Sequence, residues 1–431
     1  MHYFINFKNY STAQIDLFSS FTLLIGKNGS GKSNLIEGVE LLAALAEGRP
    51  LHEMVEGKNQ NSNGYSVRGG IHSCVKFGEK SFSLGFSGYF KFGGTNQKFD
   101  YRITVSINPY PVVIGEYLIL GTRKIFFAES APTARDGLLS VQFDNFARGG
   151  TKPQKKLYGD RSIISRYEEL VDGNESGDKN KKLKAIQMVA SIRRHLQSSF
   201  VFDPNPKLMR DYTRVGQNVL LKDGSNISAV LYSMQSSEGE PSTLENVLSV
   251  VRQLPEEPFL EFDFVTTSQH DVLLAINSGS NAIDARLISD GTLRAMAVIT
   301  ALESINNGSR VVIEEFDNGL HPSRAAILIE AIGEIVARKK LNILLSTHNP
   351  ASLNSLTTEW LEKVHVCHWD SESQSSKLVK LLDIPDVDSL LESNGGLGDL
   401  VTRSVFEKHL SPKFPESKKK IAKDWLERLG S

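Results

Sequence analysis

The chain has 431 residues, 40% apolar and 23% charged, with a formal net charge of −1. That composition fits a globular protein with an ample core and, by length, two or three domains. It excludes a global basic field aimed at nucleic acid, while a local basic face stays open.

Residues 2–18 alternate loosely, with Tyr3, Ile5 and Phe7 and then Ile15 and Leu17, so two strands are expected around the turn at Asn9 to Thr12. The opening MHYFINFKNY lacks the apolar core of a signal peptide. No apolar run approaches the ~18 residues that span a bilayer. A soluble, cytoplasmic protein with no membrane partner is expected. Cys74 and Cys367 form neither metal-ligand spacing nor a disulfide framework, which fits a reducing compartment.

The central stretch is FTLLIGKNGSGKSNL, Phe21 to Leu35. Phe21 to Ile25 is a short apolar run ending at a glycine, a buried-strand pattern. Gly26, Lys27, Asn28, Gly29, Ser30, Gly31, Lys32 and Ser33 fit G-x-x-x-x-G-K-S, the P-loop. After Ser33 the apolar spacing turns helical, through Leu35, Ile36, Val39, Leu42 and Ala43, until Gly48-Arg49-Pro50 stops it. An incidental glycine turn would lack this strand–loop–helix context. The glycines let backbone N–H groups wrap phosphate oxygens, and the helix start adds its positive end. Lys32 is expected on the β- and γ-phosphates of ATP and Ser33 on Mg²⁺.

Residues 56–70 read as a Gly/Asn/Ser-rich loop. FSLGFSGYFKF, FDYRITVSI and VVIGEYLIL, between Val75 and Leu120, read as an antiparallel sheet. From 121 to 254 the pattern is least informative: a helix over 183–198, a break at Pro204 and Pro206, and a helix over 242–253 closed by Pro255 and Pro258. Lys155, Lys156, Lys181, Lys182 and Lys184 are expected on a solvated face rather than on phosphates. No heptad run or internal repeat is present.

Alternation returns with Leu260, Phe262 and Phe264 against Glu261 and Asp263, followed by Val272 to Ile276. LISDGT, Leu287 to Thr292, then leads into a helix apolar almost all round. Ser289 is its expected N-cap, and Gly291 allows close backbone approach. Alone, this would be an ordinary capped helix. Val311 to Ile313 reads as a central parallel strand with Glu314 and Glu315 at its carboxyl end, where open α/β sheets bind ligands. Glu314 is expected in the metal shell, and Glu315 as the base that deprotonates the attacking water. NILLSTHN, Asn342 to Asn349, is a buried strand ending at His348. Such a histidine is often structural, but here it can reach a γ-phosphate or the lytic water.

In this order the motifs resemble the ABC-type ATPases, in particular the RecF/OLD-like branch with SMC-related heads. The similarity covers residues 1–45 and 280–355 closely and 215–280 more loosely. It implies that Ser289, Asp290, Gly291 and Thr292 match the ABC signature and bind nucleotide across a dimer, that Asp317 to Pro322 match the D-loop, and that His348 is the switch histidine. Asp290 and Thr292 stand where transporters carry glycine and glutamine, and Glu314 replaces the usual aspartate. No Q-loop glutamine is evident, and the Q-loop region itself is expected around Val67 to Gly70. These departures weaken the reading of a transporter's nucleotide-binding subunit.

The expected fold is α/β: a P-loop ABC-type ATPase head with a mixed or parallel central sheet, an antiparallel β subdomain and an inserted mainly helical region. The expected division is 1–120 and 255–370 for the head, 121–254 for the insert and 371–431 for a tail. The resemblance implies an ATP- and Mg²⁺-dependent homodimeric switch of phage-defence type, as in Septu- and PARIS-type systems. The tail looks too short for a C-terminal TOPRIM nuclease, and DIPDVDS, with Asp383, Asp386 and Asp388, reads as a loop, so the nuclease or toxin effector is expected on a separate chain. A RecF-like DNA-repair ATPase is the alternative, with DNA a possible partner.

Overall fold

The computed structural model describes residues 1–16, 20–54, 67–129, 137–147, 149, 151–235, 243–254, 259–279 and 282–410. Leu17, Pro255, Pro258, 56–66 of the expected loop and the last 21 residues of the tail lie outside them. The chain divides into two compact units. One comprises 1–16, 33–199 and 374–377; the other comprises 17–32, 200–373 and 378–431.

The first unit is built on an eight-stranded antiparallel sheet. Its spatial order is Tyr10–Ile15, His2–Phe7, Ser81–Phe92, Thr95–Ser106, Val112–Leu120, Arg123–Glu129, Leu138–Phe143, Gln154–Tyr158. The opening hairpin turns at Lys8-Asn9, so its second strand already begins at Tyr10. The three aromatic-rich runs before Leu120 form strands as their alternation predicts: Phe82, Leu84 and Phe86 are buried with Phe99, Tyr101, Ile103 and Val105. The span 121–254 is helical only from Tyr167 on. Its first part continues this sheet, because Ile125, Phe126, Leu139 and Val141 need the same buried face. The helix Lys179–Gln197 buries Ala185, Val189, Ile192 and Leu196, a helical spacing that leaves Leu183 exposed. Lys182, expected in solvent, is buried and donates to the Asn174 carbonyl at 2.5 Å.

The second unit holds most of a six-stranded sheet in the order Ser199–Phe202, Arg310–Ile313, Asn342–Thr347, Phe21–Ile25, Val364–Asp370, Ser375–Lys380. Arg310–Ile313, Asn342–Thr347, Phe21–Ile25 and Val364–Asp370 pair parallel. Phe21–Ile25 is buried at every residue, as expected of a parallel strand covered on both faces. The helix Asp290–Ser304 is buried from Gly291 to Glu303 and forms much of the core with Pro322–Lys339. A small antiparallel sheet brings together Thr213–Arg214, Asp271–Asn277, Glu261–Thr266 and Ala282–Asp284. DIPDVDS is a loop only in its first half, because the helix Val387–Asn394 starts within it. The architecture is α/β, with a parallel core sheet and a separate antiparallel sheet, as the resemblance implies.

Candidate functional site

Register places three strand ends side by side. Ile25 pairs with Thr347, and Leu345 pairs with Ile313. The residues that follow each strand therefore emerge at one edge: Gly26 from the first, His348 from the second, Glu314 and Glu315 from the third. This is the carboxyl edge where α/β sheets present ligand sites.

The loop after Ile25 turns through Gly26, with φ +146°. A Cβ there would lie 2.2 Å from the Cys367 carbonyl oxygen, so no other residue fits. Asn28 and Gly29 are exposed at the crown, and the Cys367 thiol donates to the Ser30 carbonyl at 3.0 Å. The helix Lys32–Glu47 starts where the sequence predicts. Lys32 is buried, and its ammonium donates to the carbonyls of Gly26 at 2.5 Å and Lys27 at 3.0 Å. Burial lowers its pKa, while the charges of Cys367, Glu315 and Glu314 oppose the shift. A cation held among carbonyls in a loop of backbone N–H groups is suited to phosphate oxygens.

Glu315 stands in the left-handed region, φ +46°, which is costly for a residue with a side chain and is typical of functional turns. Its N–H donates to Ser346 Oγ at 3.1 Å. One carboxylate oxygen accepts from Asn318 Nδ2 at 3.1 Å, and the other lies 3.2 Å from His348 Nδ1. The two expected catalytic residues are thus direct neighbours. Glu314 is half-buried, and its N–H donates to the Phe202 carbonyl at 3.1 Å. Behind them Asp317 is buried and accepts from Thr347 Oγ1 at 2.8 Å. Burial raises its pKa against the bonds from Ser352 and Thr347 and the nearby His348.

Ser289 caps the helix Asp290–Ser304 as predicted, accepting from the Thr292 N–H at 3.1 Å. Its hydroxyl contacts stay within this turn, to Thr292 Oγ1 at 2.7 Å. Gly291 packs tightly: a Cβ there would meet the Gly319 carbonyl oxygen at 2.7 Å. Asp290 is paired with Arg210 at 2.6 Å, and Arg210 also donates to the Ile288 carbonyl at 2.7 Å. That guanidinium offsets the negative charge Asp290 would otherwise present to a phosphate.

Sequence reasoning missed Arg210, Ser346 and Arg294, and included Asn318 only as part of the D-loop match, without its bond to Glu315. Arg294 had a visible signal, the one basic residue in a mostly apolar helix. It is buried and donates to the Glu315 carbonyl at 3.4 Å. Burial lowers its pKa, opposed by Asp203, Glu315, Asp317 and Asp290. In the region expected to hold a Q-loop, Arg68 donates its N–H to Glu37 at 2.7 Å and its guanidinium at 3.3 Å, and Lys8 joins the same carboxylate at 2.5 Å. No glutamine stands among Val67 to Gly70.

No group of three or more His, Cys, Asp or Glu side chains suited to a metal occurs among the described residues. Mg²⁺ does not need one, since it keeps waters and substrate phosphates and takes one or two protein oxygens. The carboxylate of Glu314, which follows the strand Arg310–Ile313, is a hard oxygen donor of the kind it takes.

A family model described as "AAA domain, putative AbiEii toxin, Type IV TA system" matches residues 21–354. An "ATP/GTP phosphatase" of Helicobacter pylori is 22% identical over 361 residues, covering 83% of this chain and 87% of that protein. The "DNA replication and repair protein RecF" of an Exiguobacterium species is 31% identical over 109 residues, 25% of this chain and 28% of RecF. RecF of a Picosynechococcus species is 55% identical over 40 residues, 9% of this chain and 10% of that protein. Among solved structures, the SmcHead bound to the C-winged helix domain of ScpA aligns over 88% of this chain and 95% of that one, with TM-score 0.48 and 12% identity. With the family model matching well over half its length, the chain belongs to this AAA-domain family, and it is an ATPase.

Proposed function

We propose that the chain is a Mg²⁺-dependent ATPase switch whose heads pair around the nucleotide and whose output passes to a separate nuclease or toxin in an anti-phage defence system. The observation that carries the site is the parallel register that puts three strand ends at one edge of the sheet, followed in sequence by Gly26, by Glu314 and Glu315, and by His348. In this reading Gly26 to Ser33 cradle the triphosphate, with Lys32 on the β- and γ-oxygens and Ser33 and Glu314 on Mg²⁺. The ion supplies charge neutralisation when bound. Glu315 takes the proton of the attacking water, and His348, 3.2 Å away, orients that carboxylate and senses the γ-phosphate. Ser289, Asp290 and Gly291 close on the nucleotide of a partner head. Among the described residues no helix is long and apolar enough to cross a membrane. A cytoplasmic location is part of the same reading.

The defence role, of the kind seen in Septu- and PARIS-type systems, draws support from the toxin–antitoxin wording of the family description. A RecF-like repair ATPase is the second reading, favoured by the local RecF matches. Co-purification and DNA titration separate them. A toxic or nucleolytic protein recovered with the chain, with ATP turnover indifferent to DNA, supports the first. Turnover stimulated by DNA with no such protein supports the second. MgATP should also convert monomer to dimer in sedimentation velocity, and Lys32→Ala should abolish the shift.

A further inference from the structure

The phosphate loop is tethered from far along the chain. Lys27 Nζ donates to Ser404 Oγ, across 377 residues of sequence. The backbone carbonyl of the same Lys27 accepts from Lys32 Nζ at 3.0 Å. A bond to the side chain of residue 27 therefore bears on where the phosphate-binding ammonium rests. Ser404 is itself held in an unusual conformation, φ +57°, at the junction of two short helices, Leu397–Thr402 and Val405–His409. Serine tolerates that region poorly, and glycine occupies it freely.

The helix pair is anchored firmly. Leu397, Leu400, Val401 and Phe406 are buried in the same core as Ile25 and Leu353. The N–H of Gly398 donates to Asn354 Oδ1 at 2.7 Å, and Asn354 Nδ2 donates to Asp399 at 3.2 Å. Asn354 closes the helix Pro350–Asn354, which begins two residues after His348. The pair thus grips the segment following His348 at one end and the phosphate loop at the other.

We propose that Ser404 is a positioning residue for nucleotide binding: through the side chain of Lys27 it fixes the crown of the phosphate loop, and the helix pair Leu397–His409 ties that loop to the segment that carries His348. This rests on the nucleotide-site reading given above. A purely structural serine at φ +57° would lose nothing on conversion to glycine, whereas the tether would be lost.

The test measures affinity for a non-hydrolysable ATP analogue with Mg²⁺, alongside thermal stability, in the full chain. Ser404→Gly should keep or raise the melting temperature yet bind about three- to tenfold more weakly, the loss of one hydrogen bond to a charged group in a half-exposed setting. Lys27→Met should lose a similar factor, and the double variant should be no worse than either single one, because both changes remove one contact. Ser404→Asn tolerates the left-handed backbone and still offers an oxygen, so it should restore affinity. Wild-type affinity in Ser404→Gly, tighter binding, or losses that multiply in the double variant would overturn the proposal. If the wild-type chain binds no nucleotide, the site reading itself fails and carries this one with it.

Discussion

Replacing Glu315 with glutamine isolates one function of the site. The side chain keeps its size, and the left-handed backbone at residue 315 meets an equivalent Cβ. Both contacts survive with small adjustment. His348 Nδ1, 3.2 Å from one carboxylate oxygen, can face the amide oxygen. Asn318, bonded to the other oxygen at 3.1 Å, can turn its own amide to accept from the new NH₂. The fold should therefore change by less than about 1 kcal/mol, as expected for a conservative substitution at a partly exposed position. The amide cannot accept the proton of the attacking water. Loss of a positioned general base costs about 10²–10⁴ in rate, or ~3–5 kcal/mol in the barrier. Steady-state phosphate release at saturating MgATP reads the rate, and calorimetric titration reads binding. We expect turnover to fall by two to four decades with nucleotide affinity within a few-fold of wild type. Turnover within tenfold of wild type, with nucleotide demonstrably bound, would refute the assignment and move the base to Glu314.

Lys32→Ala should abolish nucleotide binding in a chain that still folds, because the ammonium now shared by the Gly26 and Lys27 carbonyls supplies the positive charge of the loop; unchanged affinity in calorimetry would contradict this. A mixture of Lys32→Ala and Ser289→Arg chains, each inactive alone, should recover up to about half the ATPase activity per dimer if the signature acts across the pair, since one composite site then carries neither lesion; no recovery in verified heterodimers would count against independent composite sites. Gly398→Ala should destabilise by about 1–3 kcal/mol in urea titration, because its Cβ would stand 2.0 Å from the Pro350 carbonyl oxygen and the helix must move. Glu116 is buried and accepts from the Ile163 and Ile164 N–H groups and from Tyr101 Oη, yet burial pushes its carboxyl from about 4.5 up to about 7. A folded pKa above the unfolded one means stability fully present below pH 4.5 and lost as pH rises through 7, by ~3 kcal/mol from this group. The stability difference between wild type and Glu116→Gln should therefore change across pH 4.5–8; a pH-independent difference would show that the carboxyl is not titrating there.

The parts of the site legible in the sequence are those whose chemistry is local. Gly26 to Ser33 must follow a strand and open a helix for the phosphate cradle to exist, so eight residues and their flanks declare the loop. Ser289 declares itself as a cap because its partner, the Thr292 N–H, is three residues away. The strand ending at Glu314 and Glu315 is legible from three β-branched residues and two acids. Local pattern also gave the antiparallel runs before Leu120, while Arg123 to Tyr158 escaped because their outer residues, such as Arg123, Lys155 and Lys156, mask the alternation.

What stayed hidden depends on residues distant in sequence that the fold brings together. Nothing near Glu315 in the sequence announces that Ser346, 31 residues on, will bond its N–H and hold the left-handed turn. Nothing near Asp290 announces Arg210, whose ion pair changes an apparently unfavourable acid at an anion-binding helix start into a neutralised one. Lys27 is the sharpest case. Within the motif it occupies a variable position, and a lysine there reads as another cation for phosphate. In the folded chain its ammonium is committed to Ser404, and its carbonyl to Lys32. Charge at residue 27 therefore acts on the loop through geometry before it acts on any ligand through Coulomb attraction. For this chain, the distinction is testable at Ser404 without altering the motif at all.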